Sequence, residues 1–330
     1  MKGVHLTMKK TLKKILCAVL AVSFVLALTG CAKINYVTNG TITAIKEVKD
    51  GSWKNNGEGE GDSTDEVVSI EPFKSGTYGG VEFADEAAVA EYYVQAYNKT
   101  KEQTAQYKTD DGSTQTFYKL LGDEKLKIEK VLIEGSENAM INNLVPGIVD
   151  GLFAANTYGL PPCYNRNPEL DNNLEDTTRK ADHDFRTSGL TADDILACNV
   201  TDNGDGTITL VIQPKEGSMS MRGDDPQGRF FEVLGDIGAT VDSISALSWA
   251  SGTTEENCLV KYTGGTGTIK IDVASGEIVE ADYHMAVTVE VNHANVAVIK
   301  DKSAVVGISY DMHYPASDEY LMETKGIIRL

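Results

Sequence analysis

Tryptophan, cysteine and positive charge are all scarce in this sequence of 330 residues. The two tryptophans are Trp53 and Trp249, and the five cysteines stand at 17, 31, 163, 198 and 258. No CxxC pair and no histidine at ligand spacing accompanies the cysteines, which argues against a zinc site. Three cysteines follow residue 31, so they cannot all pair with one another; a Cys163–Cys198 bridge stays open. HExxH, GxSxG, a Walker loop and a strand-linked GxGxxG are also missing. Their absence removes the sequence signatures of zinc peptidases, α/β-hydrolases and the common nucleotide-binding folds. The longest apolar run, Ile15 to Leu28, falls short of the roughly 20 residues a membrane-spanning helix needs.

Basic residues number 30 against 49 acidic ones. Five of the 30 are Lys2, Lys9, Lys10, Lys13 and Lys14, and no acid occurs in residues 1–31. Without that segment, 25 basic residues face 49 acidic ones, a net charge of about −24. Such a surface excludes nucleic acid as a partner and disfavours lying flat on anionic lipid.

Positive charge ahead of a short apolar run is the pattern of an export signal. Met8-Lys9-Lys10-Thr11-Leu12-Lys13-Lys14 is a complete basic region, which makes Met8 a better start than Met1. The run ends in Leu28-Thr29-Gly30-Cys31. This resembles the lipobox of bacterial prolipoproteins. The resemblance implies that the Cys31 thiol receives diacylglycerol and that signal peptidase II cuts between Gly30 and Cys31. The mature chain would then be lipid-anchored at the cell membrane on its extracytoplasmic face. Two acyl chains, at ~0.8 kcal/mol per buried CH2, suffice for stable anchoring. The resemblance covers residues 8–31 and speaks to location, not activity.

The expected organisation is a signal peptide at 1–30, a lipidated Cys31 with a flexible tether to residue 75, and one domain over 76–330. Residues 57–66 are too polar and charged to order themselves, and Ile42 to Val48 is a strand candidate. Ala84 to Thr104 reads as a helix, with Asp85 and Glu86 at its start and Lys99 and Lys101 at its end. Val89, Ala90, Tyr93, Val94, Ala96 and Tyr97 form its apolar stripe. Thr114 to Leu121 and Lys125 to Ile133 read as strands. In the second, Leu126, Ile128 and Leu132 share one face, and Val131 and Ile133 lie on the other.

A second helix is expected from Ser136, as N-cap, to Asn156. Its stripe is Ile141, Leu144, Val145, Ile148 and Leu152, and Pro146 interrupts it. Thr157 to Leu190 is a long polar loop, unusual in a compact domain. Thr191 caps a helical turn over Ala192 to Ala197, and Phe230 to Leu247 reads as helix. The remainder alternates as strands: Thr207 to Gln213, Asn257 to Thr263, Thr268 to Val273, Ile278 to Val291, Val296 to Ile299 and Ala304 to Tyr314. Turns are expected at Asp202 to Gly206, Ala274 to Glu277 and Asn292 to Asn295, and a hairpin turn at Gly264 to Thr268. Asp202 to Gly206 lacks the acidic twelfth ligand of a calcium loop, so it reads as a β-turn.

Strands without intervening helices mark an α+β fold. The expectation is an antiparallel twisted sheet or half-barrel meander with helices packed on one face. This layout resembles carrier lipoproteins of the LolA and LppX type, and the chain is similar to uncharacterised lipoproteins of Gram-positive anaerobes. The carrier resemblance implies an apolar cavity for a lipid-like ligand, here under the helix bearing Ile141, Leu144, Val145, Ile148 and Leu152. The alternative is a non-catalytic structural or interaction module of the cell envelope, with a filled core. No catalytic residue, cofactor or metal is expected. His183, between Asp182 and Asp184, is the one histidine flanked by acids in sequence. His284 and His313 fall on the polar faces of strands, and His293 in a turn.

Overall fold

A computed structural model of the chain describes residues 70–137, 157–163, 165–169, 171, 185–233, 238, 242, 247–296 and 299–330. Gly30, Cys31, the tether before residue 70, His183 and the stripe Ile141, Leu144, Val145, Ile148 and Leu152 lie outside the described residues.

The fold is α+β, and every strand pairing is antiparallel. The described part opens with the hairpin β1 (Gly76–Tyr78) and β2 (Val81–Phe83), then helix α1 (Glu86–Lys101). Asp85 caps α1, its Oδ1 accepting from the Ala88 N–H at 2.9 Å. Next come β3 (Thr104–Thr109), β4 (Thr114–Tyr118), β5 (Asp123–Ile133) and β6 (Ser136–Glu137). A single 3-10 turn, Ala192–Asp194, leads into β7 (Ile195–Asp202), β8 (Thr207–Pro214) and β9 (Gly217–Ser218). Helix α2 (Pro226–Phe230), β10 (Leu247–Trp249), α3 (Thr254–Asn257), β11 (Cys258–Tyr262) and β12 (Thr266–Asp272) follow. The chain closes with the long hairpin β13 (Glu277–Val296) and β14 (Ile299–Tyr314), helix α4 (Asp318–Lys325) and β15 (Ile327–Arg329).

The main sheet runs in the order β6-β5-β14-β13-β12-β8-β7. The period-two reading of its centre holds. Tyr283, Met285, Val287, Val289 and Val291 on β13 and Val306, Ile308, Tyr310, Met312 and Tyr314 on β14 are all buried on one face. Helix α1 lies on that face with Val89, Ala90, Tyr93, Ala96 and Tyr97, alongside Phe230, Phe231 and Ile208, Leu210 and Ile212 of β8. Fully burying an apolar side chain of this size contributes about 1.5–3 kcal/mol. In the described part, the inner face of the sheet is therefore filled with side chains. A smaller sheet, β15-β3-β4, closes over a second cluster of Tyr107, Phe117, Tyr118, Leu121, Cys163, Ala316, Leu321 and Ile327.

Several local expectations are overturned. Ser136 caps no helix: β5 and β6 form a hairpin turned by Glu134 and Gly135, both at positive φ. Two such residues match the twist of a tight hairpin. On β5, Glu129 is an extra residue between the Lys130–Gly307 and Ile128–Ile308 pairs. This bulge switches the alternation, so Val131 joins Ile128 in the core facing α1, and Leu132 does not.

The run Gly264 to Thr268 is not a hairpin turn. β11 and β12 lie in succession along the same side of β13, and the glycines form the irregular joint between them. Gly265 has φ +75, and a Cβ there would sit 2.9 Å from the His284 carbonyl oxygen. Asn292 to Asn295 is not a turn either: β13 continues to Val296 through two register shifts. His293 and Asp301 take left-handed backbone conformations at this irregular end. Ala192 to Ala197 shortens to Ala192–Asp194 because Ile195 and Ala197 enter β7 beside Pro214 and Gln213. A short helix, α2, lies ahead of the one expected from Phe230, with Asp225 as N-cap and Pro226 in its first turn. It stops at Phe230, because Phe231 turns extended and is buried in the core with Val233. Of the expected helical stretch beyond Val233, Gly238 and Asp242 are described and both are helical, and Leu247 opens β10.

Candidate functional site

Two constellations of ionisable groups emerge, and neither includes a site residue singled out in the sequence; those lie outside the described residues. The first is internal. Lys101, the last residue of α1, turns its side chain inward and is 2% exposed. Its Nζ donates to the Leu160 carbonyl at 3.0 Å and lies over the Tyr118 and Tyr97 rings, 4.5 and 5.5 Å from their centroids. Asp171, fully buried, stands 3.8 Å from Nζ. Its Oδ2 accepts from the Tyr118 hydroxyl at 2.6 Å and the Cys163 thiol at 3.0 Å. The Cys163 backbone N–H donates to Glu232 at 2.8 Å, and Glu232 also accepts from the buried Arg222 guanidinium.

Around this chain, tyrosines hold backbone. The Tyr97 hydroxyl lies 3.2–3.3 Å from the carbonyl oxygens of Leu160, Pro162 and Phe185. Tyr314 donates to Gly159 at 3.0 Å, and Tyr310 to the buried Glu124 carboxylate. The described segment 157–163 is thus fastened by side chains of α1 and β14, and by the Gly122 N–H on the Tyr158 carbonyl. It carries no helix or strand of its own, so its carbonyls find these partners instead.

Burial pushes the Tyr118 hydroxyl far above its ordinary range, and its neighbours Cys163 and Asp171 push it further. Burial first and Glu124 second do the same to Tyr310 and Tyr314. Burial, helped by Glu124 and Glu232, raises Tyr158 to about 12. These hydroxyls act as neutral donors. Apart from the half-buried Tyr158, these side chains are closed to solvent and hold the chain together.

Cys163, Cys198 and Cys258 are buried thiols, so the Cys163–Cys198 bridge is not made. Burial raises Cys198 to about 12, with Glu86 adding to it, and burial raises Cys258 to about 12. A thiol held in that way is a poor nucleophile at neutral pH.

The second constellation lies on the outer face of the β13–β14 hairpin. His284 pairs with Asp311 at 2.5 Å and His313 with Asp282 at 2.7 Å, each through Nδ1. The register sets His284 opposite Asp311 and Asp282 opposite His313. Further along, His293 pairs with Asp301 at 2.7 Å. The three imidazole side chains are 42–45% exposed. On this face Asp123 and Lys125 of β5 stand in register beyond His313 and Asp311. Among the described residues, no three His, Cys, Asp or Glu converge as metal ligands. The pairing was readable in principle: Asp282-Tyr283-His284 and Asp311-Met312-His313 share one spacing, and antiparallel pairing sets each acid opposite a histidine.

The acids of the Asp202 to Gly206 turn serve the turn itself. Asp202 accepts from the Gly204 and Gly79 N–H groups, and these hold its carboxyl below the usual range. Asp205 is held low in the same way by Thr207. Among the described residues, no helix is long and apolar enough to cross a membrane. No family model, no curated protein and no solved structure matches this chain.

Proposed function

We propose that the chain is an extracytoplasmic lipoprotein, anchored through diacylglycerol on Cys31, whose folded part is a non-catalytic structural or interaction module of the cell envelope. One observation carries the choice of a module over a carrier. Among the described residues, the inner face of the sheet is packed with α1, Phe230, Phe231 and Tyr283. The distribution of ionisable groups supports it. Lys101, Asp171, Arg222 and Glu232 are sealed inside, while His284 and His313 are each paired with an aspartate on an exposed part of the sheet. The strong negative charge beyond the signal segment keeps such a module soluble and spaced from its neighbours.

Metabolic labelling with a radioactive fatty acid tests the anchor. The full chain takes up label in a bacterial host, and Cys31→Ser abolishes it and leaves the precursor uncut. Undiminished label in Cys31→Ser contradicts the anchor. Lipid extracted with the detergent-free protein would instead favour the carrier reading.

A further inference from the structure

The contact between Lys101 and Asp171 is not the geometry of an ordinary buried ion pair. Such pairs close to N···O distances of about 2.7–2.9 Å through charge-assisted hydrogen bonds. Here Nζ stays 3.8 Å from Oδ2 and donates to the Leu160 carbonyl at 3.0 Å. Oδ2 meanwhile accepts from the Tyr118 hydroxyl at 2.6 Å, and the Cys163 thiol has both Oδ2 and the Asn165 carbonyl at 3.0 Å as acceptors for its one proton. The Lys101 Nζ therefore faces a carboxyl group that carries hydrogen-bond donors, walled by the rings of Tyr97 and Tyr118 and closed to water.

We propose that Lys101 and Asp171 condense to an intramolecular amide. The Nζ lone pair forms a bond to Cγ of Asp171, and the carbonyl electron pair moves onto Oδ2. The Tyr118 O–H and Cys163 S–H stand where that negative charge develops, as donors of an oxyanion hole do. Collapse of the intermediate breaks the Cγ–Oδ1 bond. Starting from ammonium and carboxylate, Nζ gives up two protons. Both end on Oδ1, which leaves as water, and the amide nitrogen keeps the third. The step needs no oxidant and no co-reactant.

Two features drive it forward. Holding both groups in one cavity removes the entropic cost of bringing them together, in full once Nζ and Cγ come into near-attack contact. Exclusion of bulk water removes the solvation that favours the separated ions, and escape of the single water released keeps the reaction from reversing. The product ties the end of α1 to the polar excursion that contains Asp171 and closes a covalent ring from residue 101 to residue 171. Such a link would hold an exported domain whose described cysteines are all thiols, independently of redox conditions.

Peptide mapping of the full chain, denatured and digested with trypsin, decides the matter. The expected product is a branched peptide lighter than its two parts by one water, with Lys101 uncut and joined to the segment containing Asp171. Lys101→Arg yields only linear peptides, and Asp171→Asn expels ammonia in place of water. Recovery of Lys101 and Asp171 in separate linear peptides from the folded wild-type chain overturns the proposal. So does a loss of water that maps elsewhere, such as to Asp205-Gly206. The wild-type map stands whether or not either variant folds.

Discussion

Arg222–Glu232 is a guanidinium–carboxylate pair and His284–Asp311 an imidazole–carboxylate pair, both in close contact, yet they sit in different media. Each side chain of the first pair is 1% exposed, and those of the second are 45% and 59% exposed. Inside, the charges have lost water and depend on each other and on neighbouring backbone. Outside, water and salt compete with the partner at every moment. The buried set also joins distant parts of the chain: α1, segment 157–163 and the loop around Arg222. The exposed set joins two strands already bonded along their length. Similar residue types therefore hold the fold together in one place and decorate it in the other.

The largest effect is expected from breaking the inner pair. Arg222→Met leaves Glu232 buried without its cation and should cost about 3–5 kcal/mol, read as a fall in the urea midpoint. Adding Glu232→Gln should recover part of that loss, because the amide oxygen still accepts from Cys163. A single-variant cost below about 1 kcal/mol would put the inner pair on the same footing as the outer ones.

Gly265→Ala should follow, at about 1–3 kcal/mol, because its Cβ meets the His284 carbonyl in a backbone conformation that disfavours a side chain. Native-state hydrogen exchange should show the loosening at the β11–β12 joint. Next comes alkaline pH. Burial lifts Cys198 and Cys258 from the ordinary 9.0 to about 12. The unfolded chain releases these protons first, so their contribution is complete below pH 9 and is lost as pH rises towards 12. Unfolding midpoints across that range should decline, and both thiols should resist alkylation until the chain unfolds. The smallest effect belongs to the surface: Asp311→Asn and Asp282→Asn should each change stability by no more than about 1 kcal/mol, and less at high salt.

The same contrast explains how far the sequence could be read. Period-two alternation identified the buried faces of β13 and β14, and helical spacing identified the buried stripe of α1, because burial repeats with backbone geometry. The extra residue at Glu129 hides from such a count, since it inverts the alternation without changing composition. Asn292 to Asn295 resembles a turn in composition but is strand, because β14 supplies partners through the register shifts. Lys101 and Asp171 were illegible for a different reason. A charged residue at a helix end or in a polar loop normally faces water, and only the tertiary arrangement of Tyr97, Tyr118 and segment 157–163 turns these two inward. The His–Asp pairs needed nothing beyond the register.

Native mass spectrometry most directly tests the claim of a filled, non-carrier module. It would use residues 31–330 with Cys31→Ser, purified without detergent and then offered phospholipid and fatty acid. The account predicts the bare mass of the chain before and after the lipids are offered. A stoichiometric bound lipid, displaced when Ile148 and Leu152 are replaced by charged residues, would contradict it and restore the carrier reading.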